Sequence, residues 1–117
     1  MTSSRIEALV EERKGRRLAE ASARALAALT ALEDAGLSAW VVGSLARRTF
    51  SVHSDVDFLV ECDPDAESAA FRILASEMRD FPFHFIAARE LDEAKRAAMM
   101  REGVDASGIR AYANPAD

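Results

Sequence analysis

The chain has 117 residues, half of them hydrophobic and 30% charged, with a formal charge of −5. That suits one core in one domain, 1–117, and excludes a disordered or low-complexity chain. No apolar run approaches a membrane span, and the acidic balance argues against a general nucleic-acid binder, whose phosphate contacts favour a basic surface.

The first predicted element is a helix over 4–35. Leu18, Ala21, Ala25, Leu29 and Leu32 recur at spacings of three and four, a stripe that buries one face. Gly15 interrupts its front, so 4–14 reads as a separate turn or a frayed extension, and Gly36 is placed to end the helix at C′. The charged segment Met1–Gly15 has no apolar centre and does not read as a secretory leader. The cluster Arg13-Lys14-Gly15-Arg16-Arg17 reads as a solvated helix face.

Leu37–Val42 is a short strand, followed by Ser44 as a helix N-cap and a short helix over Leu45–Thr49. Asp55–Cys62 is the second strand. Asp63-Pro64 then reads as N-cap and N1 of a helix to about Arg79, with Ala70, Phe71, Leu74 and Met78 facing inward. Phe81–Ala87 is a third strand, of undetermined sense. Glu90–Arg101 is expected to be the last helix, with Gly103 as its stop, leaving 105–117 as a loose tail in which Tyr112 has no assigned role. The pattern implies an α/β (α+β) fold, a small mixed sheet with helices packed on it and a long N-terminal helix. The single cysteine, Cys62, cannot form an internal disulfide; it reads as a packed residue in a reducing, cytoplasmic setting.

The chemistry concentrates in Gly43–Phe58. Strand residues two apart share a face, so Asp55 and Asp57 present adjacent carboxylates. Like charges that close repel, and a divalent cation removes the penalty. Mg²⁺ favours oxygen ligands and keeps waters and substrate phosphates in its shell. Gly43 lets an anion approach the backbone, Ser44 adds a hydroxyl donor, and Arg47 and Arg48 offer guanidinium forks one turn on. An acidic pair on a solvated strand edge is the plainer reading of the aspartates alone; the complete pattern favours metal binding.

Gly43-Ser44, ten residues, then Asp55-Val56-Asp57 resembles the signature of the polymerase β-like nucleotidyltransferase superfamily. Average composition gives about one accidental match per thousand chains of this length. Ala46-Arg47 after Gly-Ser, Ser54 before the first aspartate, and the ending Arg101-Glu102-Gly103-Val104 resemble its minimal nucleotidyltransferases. The resemblance covers roughly 37–104. It implies a polymerase β-like fold, Mg²⁺ (two ions) at Asp55 and Asp57, and ATP or another NTP bound by Gly43, Ser44 and Arg47. It also implies an antitoxin role: transfer of AMP from ATP to a tyrosine of a HEPN-domain toxin. A cleft from so small a domain is expected to be completed in a homodimer or hetero-complex. The superfamily's third acid falls at His84 in "FPFHFI", and Arg48 stands where the subgroup often has glycine. His84 is either a substitute base or ligand, or the mark of a site that binds without catalysing. A relative acting on a small molecule or a tRNA end would be expected to carry an extra substrate domain.

Overall fold

The computed structural model describes residues 2–113. Its first helix, α1, runs unbroken over Thr2–Asp34, so Gly15 does not divide it. A Cβ at Gly15 would meet nothing within 4 Å, and the position costs only the helix propensity that glycine lacks, about 1 kcal/mol, which its helix-forming neighbours absorb. The buried stripe is Ala21, Ala25, Ala28, Leu29 and Leu32, while Leu18 lies at the solvent edge. Gly36 closes the helix in the left-handed region (φ +81°). The Leu37 N–H donates to Leu32 O and the Gly36 N–H to Glu33 O, each at 2.9 Å, the Schellman pair.

Three strands follow: β1 (Ser38–Val42), β2 (Val56–Glu61) and β3 (Phe83–Ala87). They lie in the order β1-β2-β3, with β1 antiparallel and β3 parallel to β2. β2 is the centre of the sheet, and its alternation splits the core. Val56, Phe58 and Val60 face α1, α3 (Glu67–Met78) and α5 (Ala106–Ala113). Leu59 faces the other way, with Val42, Ala88, Trp40, Ile86, Leu91, Met99 and Met100, under α4 (Glu93–Glu102). The mixed α+β architecture is the expected one. No described helix is long and apolar enough to cross a membrane.

Several local expectations are corrected. The helix after β1, α2, is Gly43–Ala46, so Ser44 is inside it and is not its N-cap. The 64–79 helix begins as a 3-10 turn, Pro64–Ala66, and Arg79 ends it at φ +55°. Phe71 is 49% exposed, because Ala70, Leu74 and Met78 form the buried line and 71 lies one residue off it. Its ring instead leans on Phe83 and Phe85 at the sheet edge, 5.6 and 6.1 Å between centroids. β3 starts at Phe83 rather than Phe81, since Pro82 has no N–H to pair.

The largest correction is the tail. α4 is not the last helix: Asp105 Oδ1 accepts the Gly108 N–H at 3.0 Å and opens α5. α5 packs on α1 and fully buries Ile109. Tyr112 belongs to it; residues 114–117 lie outside the described residues.

Candidate active site

The site forms where β1 ends and β2 and β3 begin, on the sheet face shared with α4. Register sets it: Asp57 pairs with Val42 on one side and His84 on the other. β1 runs toward this point and β2 away from it, so the residue after Val42, Gly43, arrives beside Asp57. Gly43 has φ +75°, and a Cβ there would collide with Asp57 Oδ2. Glycine is required twice over at this position, by backbone conformation and by the carboxylate against it.

Asp55 lies just before β2, which starts one place later than expected, yet its carboxylate and that of Asp57 both reach one side chain. The meeting point is His84. Its Nδ1 lies 2.9 Å from Asp57 Oδ1 and its Nε2 3.4 Å from Asp55 Oδ2. Only the Nδ1–Asp57 approach is a hydrogen bond; Nε2 stands 3.4 Å from Asp55, and a neutral ring that donates from Nδ1 keeps the Nε2 lone pair for a proton. All three side chains reach solvent, His84 most (66%), then Asp55 (36%) and Asp57 (27%). His84 projects away from the core-packed Phe83 and Phe85, as strand alternation requires. No carboxylate lies on β3.

Asp55 is held from behind by α1. Arg17 Nη2 donates to Ser54 O at 3.1 Å, with its guanidinium carbon 4.4 Å from the centroid of Phe81. The loop also carries a Ser51–Ser54 pair, the Ser51 N–H donating to Ser54 Oγ at 2.9 Å. Arg17 is therefore not part of a solvated basic face. Sequence reasoning missed it because its partners lie 37 and 64 positions away.

The other predicted residues divide. Ser44 is the second residue of α2, and its carbonyl accepts the Thr49 N–H at 2.9 Å. Arg47 turns to Glu102, its Nη1 3.3 and 3.4 Å from the two carboxylate oxygens. Glu102 Oε1 also accepts the Gly43 N–H at 2.9 Å. Arg48 takes a left-handed conformation (φ +63°), which explains why glycine would suit this position. Its guanidinium leaves the site and stacks on Tyr112, 4.2 Å from the ring centroid. The Tyr112 hydroxyl donates to Ala46 O at 2.8 Å, so α5 braces the far side of the Gly-Ser turn.

The donor set fits a divalent cation in one particular way. Among the described residues no three His, Cys, Asp or Glu side chains form a metal cage. Asp55 and Asp57 would supply two anionic oxygens, with no Lys or Arg partner among the described residues; the remaining ligands of a magnesium ion would be waters and phosphate, which is how that ion is commonly held. Concavities of about 450 Å³ (with Phe71, Arg72 and Phe85) and about 340 Å³ (with Lys14, Arg48 and Tyr112) lie away from the aspartates. Size alone would favour them; the converging carboxylates mark the open face instead. Cys62 is not a rival centre: burial and the Glu67 carboxylate push its thiol up, which disfavours the nucleophilic thiolate.

No curated protein and no solved structure matches the chain. The model of the nucleotidyltransferase domain family matches residues 23–105, from the buried half of α1 through β3 to the end of α4, and the chain belongs to that family.

Proposed function

We propose that the protein is a Mg²⁺-dependent antitoxin that transfers AMP from ATP to a tyrosine of a HEPN-type toxin in the cytoplasm. Membership of the nucleotidyltransferase family supports the reaction class. The observation that carries the residue assignment is the convergence of Gly43, Asp57, Asp55 and His84 at one end of the sheet. In this reading Asp55 and Asp57 hold the metal, Gly43 and Ser44 take the β- and γ-phosphates, and Arg47 adds a guanidinium to the phosphate oxygens. Bound Mg²⁺ would supply charge neutralisation at the α-phosphate and on the departing pyrophosphate. The tyrosine oxygen forms the new bond to the α-phosphorus, the bond to pyrophosphate breaks, and His84 accepts the phenolic proton. His84, Asp55 and Asp57 all reach solvent, which supports a partner protein closing over them. A net charge of −5 suits docking on a basic ribonuclease surface.

A second reading rests on one specific observation: β3 offers His84 in place of a third carboxylate, and its ring lies across both aspartates. The protein would then silence the toxin by covering it. Incubation with labelled ATP, Mg²⁺ and the neighbouring gene product separates the two. The catalytic reading expects label on the partner, lost in Asp57→Asn. No transfer from any NTP, with neutralisation retained by the Asp55→Ala, Asp57→Ala double variant, would replace it with the occlusion reading.

A further inference from the structure

Glu102 is an unexpected residue for its position. It ends α4, where the helix carries its negative pole, so α4 itself disfavours a carboxylate there. The side chain instead serves another element. Its Oε1 accepts the Gly43 N–H at 2.9 Å, and both its oxygens lie within 3.4 Å of Arg47 Nη1. The backbone that delivers it is clamped. Gly103 has φ −63° and ψ 143°, which any residue adopts, but a Cβ there would stand 3.0 Å from Trp40 Cβ. Glycine is needed for space, and it lets the end of α4 lie directly on β1. Val104 then exchanges two backbone hydrogen bonds with Val41, 2.9 Å each. Residues 102–104 are thus fixed to β1 two positions from Gly43, and the carboxylate reaches the turn at the end of that same strand.

We infer that Glu102 is a positioning residue for nucleotide binding. It holds the left-handed Gly43 turn through the N–H and holds Arg47 by one edge of the guanidinium, leaving Nε and Nη2 for phosphate oxygens. Gly43 is thereby kept against Asp57, so one side chain sets the spacing between the phosphate and metal halves of the site. The inference rests on the reading that Gly43, Ser44 and Arg47 receive the triphosphate.

Two variants test it. In Glu102→Gln the amide oxygen still accepts from Gly43 but the negative charge facing Arg47 is gone; Glu102→Ala removes both contacts. Magnesium–ATP affinity is measured by calorimetry, and the Gly43 amide and Arg47 Nε signals by NMR, at a temperature where circular dichroism shows each variant folded. Glu102→Ala is expected to weaken ATP about tenfold, the loss of one charge-assisted hydrogen bond, and to shift both signals. Glu102→Gln is expected to recover most of the affinity and the Gly43 signal, a rescue that a general loss of stability would not produce. Unchanged affinity in Glu102→Ala overturns the inference, and tighter binding overturns it in favour of a carboxylate that competes with phosphate. If the unaltered protein binds no nucleotide, the functional reading falls by itself. The two NMR signals then decide the inference: it stands for the turn if they move in Glu102→Ala and is overturned if they do not.

Discussion

Substituting Gly43 by alanine, with Gly36→Ala beside it, isolates the contact on which the site depends. Both glycines sit in the left-handed region, at φ +75° and +81°. An L-residue there costs about 1–2 kcal/mol. Both substitutions also remove the same chain entropy from the unfolded state, so that effect cancels in the comparison. The two differ in surroundings. A Cβ at Gly36 meets nothing within 4 Å, whereas at Gly43 it meets the Asp57 carboxylate. Asp57 must leave its rotamer, which adds about 0.5–1.5 kcal/mol. Gly43→Ala is therefore expected to lose about 2–3 kcal/mol and Gly36→Ala about 1–2 kcal/mol. At roughly 4 °C per kcal/mol for a chain of this size, the Tm falls are about 10 °C and about 6 °C. Urea unfolding and a magnesium–ATP titration on both variants make the test. Gly36→Ala should bind as the unaltered protein does, and Gly43→Ala should not bind. Equal destabilisation of the two, or intact binding in Gly43→Ala, would refute the claim that Gly43 and Asp57 share one site.

Other outcomes follow from single contacts. Tyr112→Phe removes the bond from the hydroxyl to Ala46 O and keeps the ring under Arg48; urea unfolding should show a loss of about 1 kcal/mol. Ser22 is fully buried in α1 and its hydroxyl has no hydrogen-bond partner among the described residues, so Ser22→Ala should stabilise by about 1 kcal/mol, read as a higher denaturation midpoint. The Cys62 thiol is held above its ordinary value by burial and by Glu67. At any given pH its thiolate fraction is then below that of a free cysteine, and its alkylation rate should rise only at higher pH than that of a small-molecule thiol. A profile matching or preceding the free thiol would contradict that environment.

The parts of the molecule legible in the sequence are those written in local spacing. The stripe Ala21, Ala25, Leu29 and Leu32, the glycine stop at 36, and the apolar runs around Val41 and Phe58 announce their elements through period and propensity. Gly43-Ser44 with Asp55-x-Asp57 could be placed because strand, turn and strand connect them directly. The resemblance puts His84 at the third-acid position, and alternation in "FPFHFI" turns it away from Phe83 and Phe85; its pairing with Asp57 is set by the β2–β3 register. The misses have physical causes. α5 hid because its signal is small: an N-cap at Asp105 and three residues, Ala106, Ile109 and Tyr112, at intervals of three. Phe71 reads as inward on hydrophobicity, although a line through Ala70, Leu74 and Met78 leaves it at the edge. The contacts of Glu102 and Arg17 are not legible because charged side chains carry no period. Their partners are 59 and 37 residues away, and only the β1–Val104 bridge and the packing of α1 bring them close.

The central claim is that the Gly43 turn and the two aspartates surround one metal–triphosphate. Manganese–ATP titrated into ¹⁵N-labelled protein tests it most directly, because the paramagnetic ion broadens only nearby amides. Broadening is expected only at Gly43–Arg47, Asp55–Asp57, His84 and Glu102, and is expected to vanish in Asp57→Asn. Broadening centred on the Phe71–Phe85 groove or on the Lys14–Tyr112 concavity, or none at all, would contradict it.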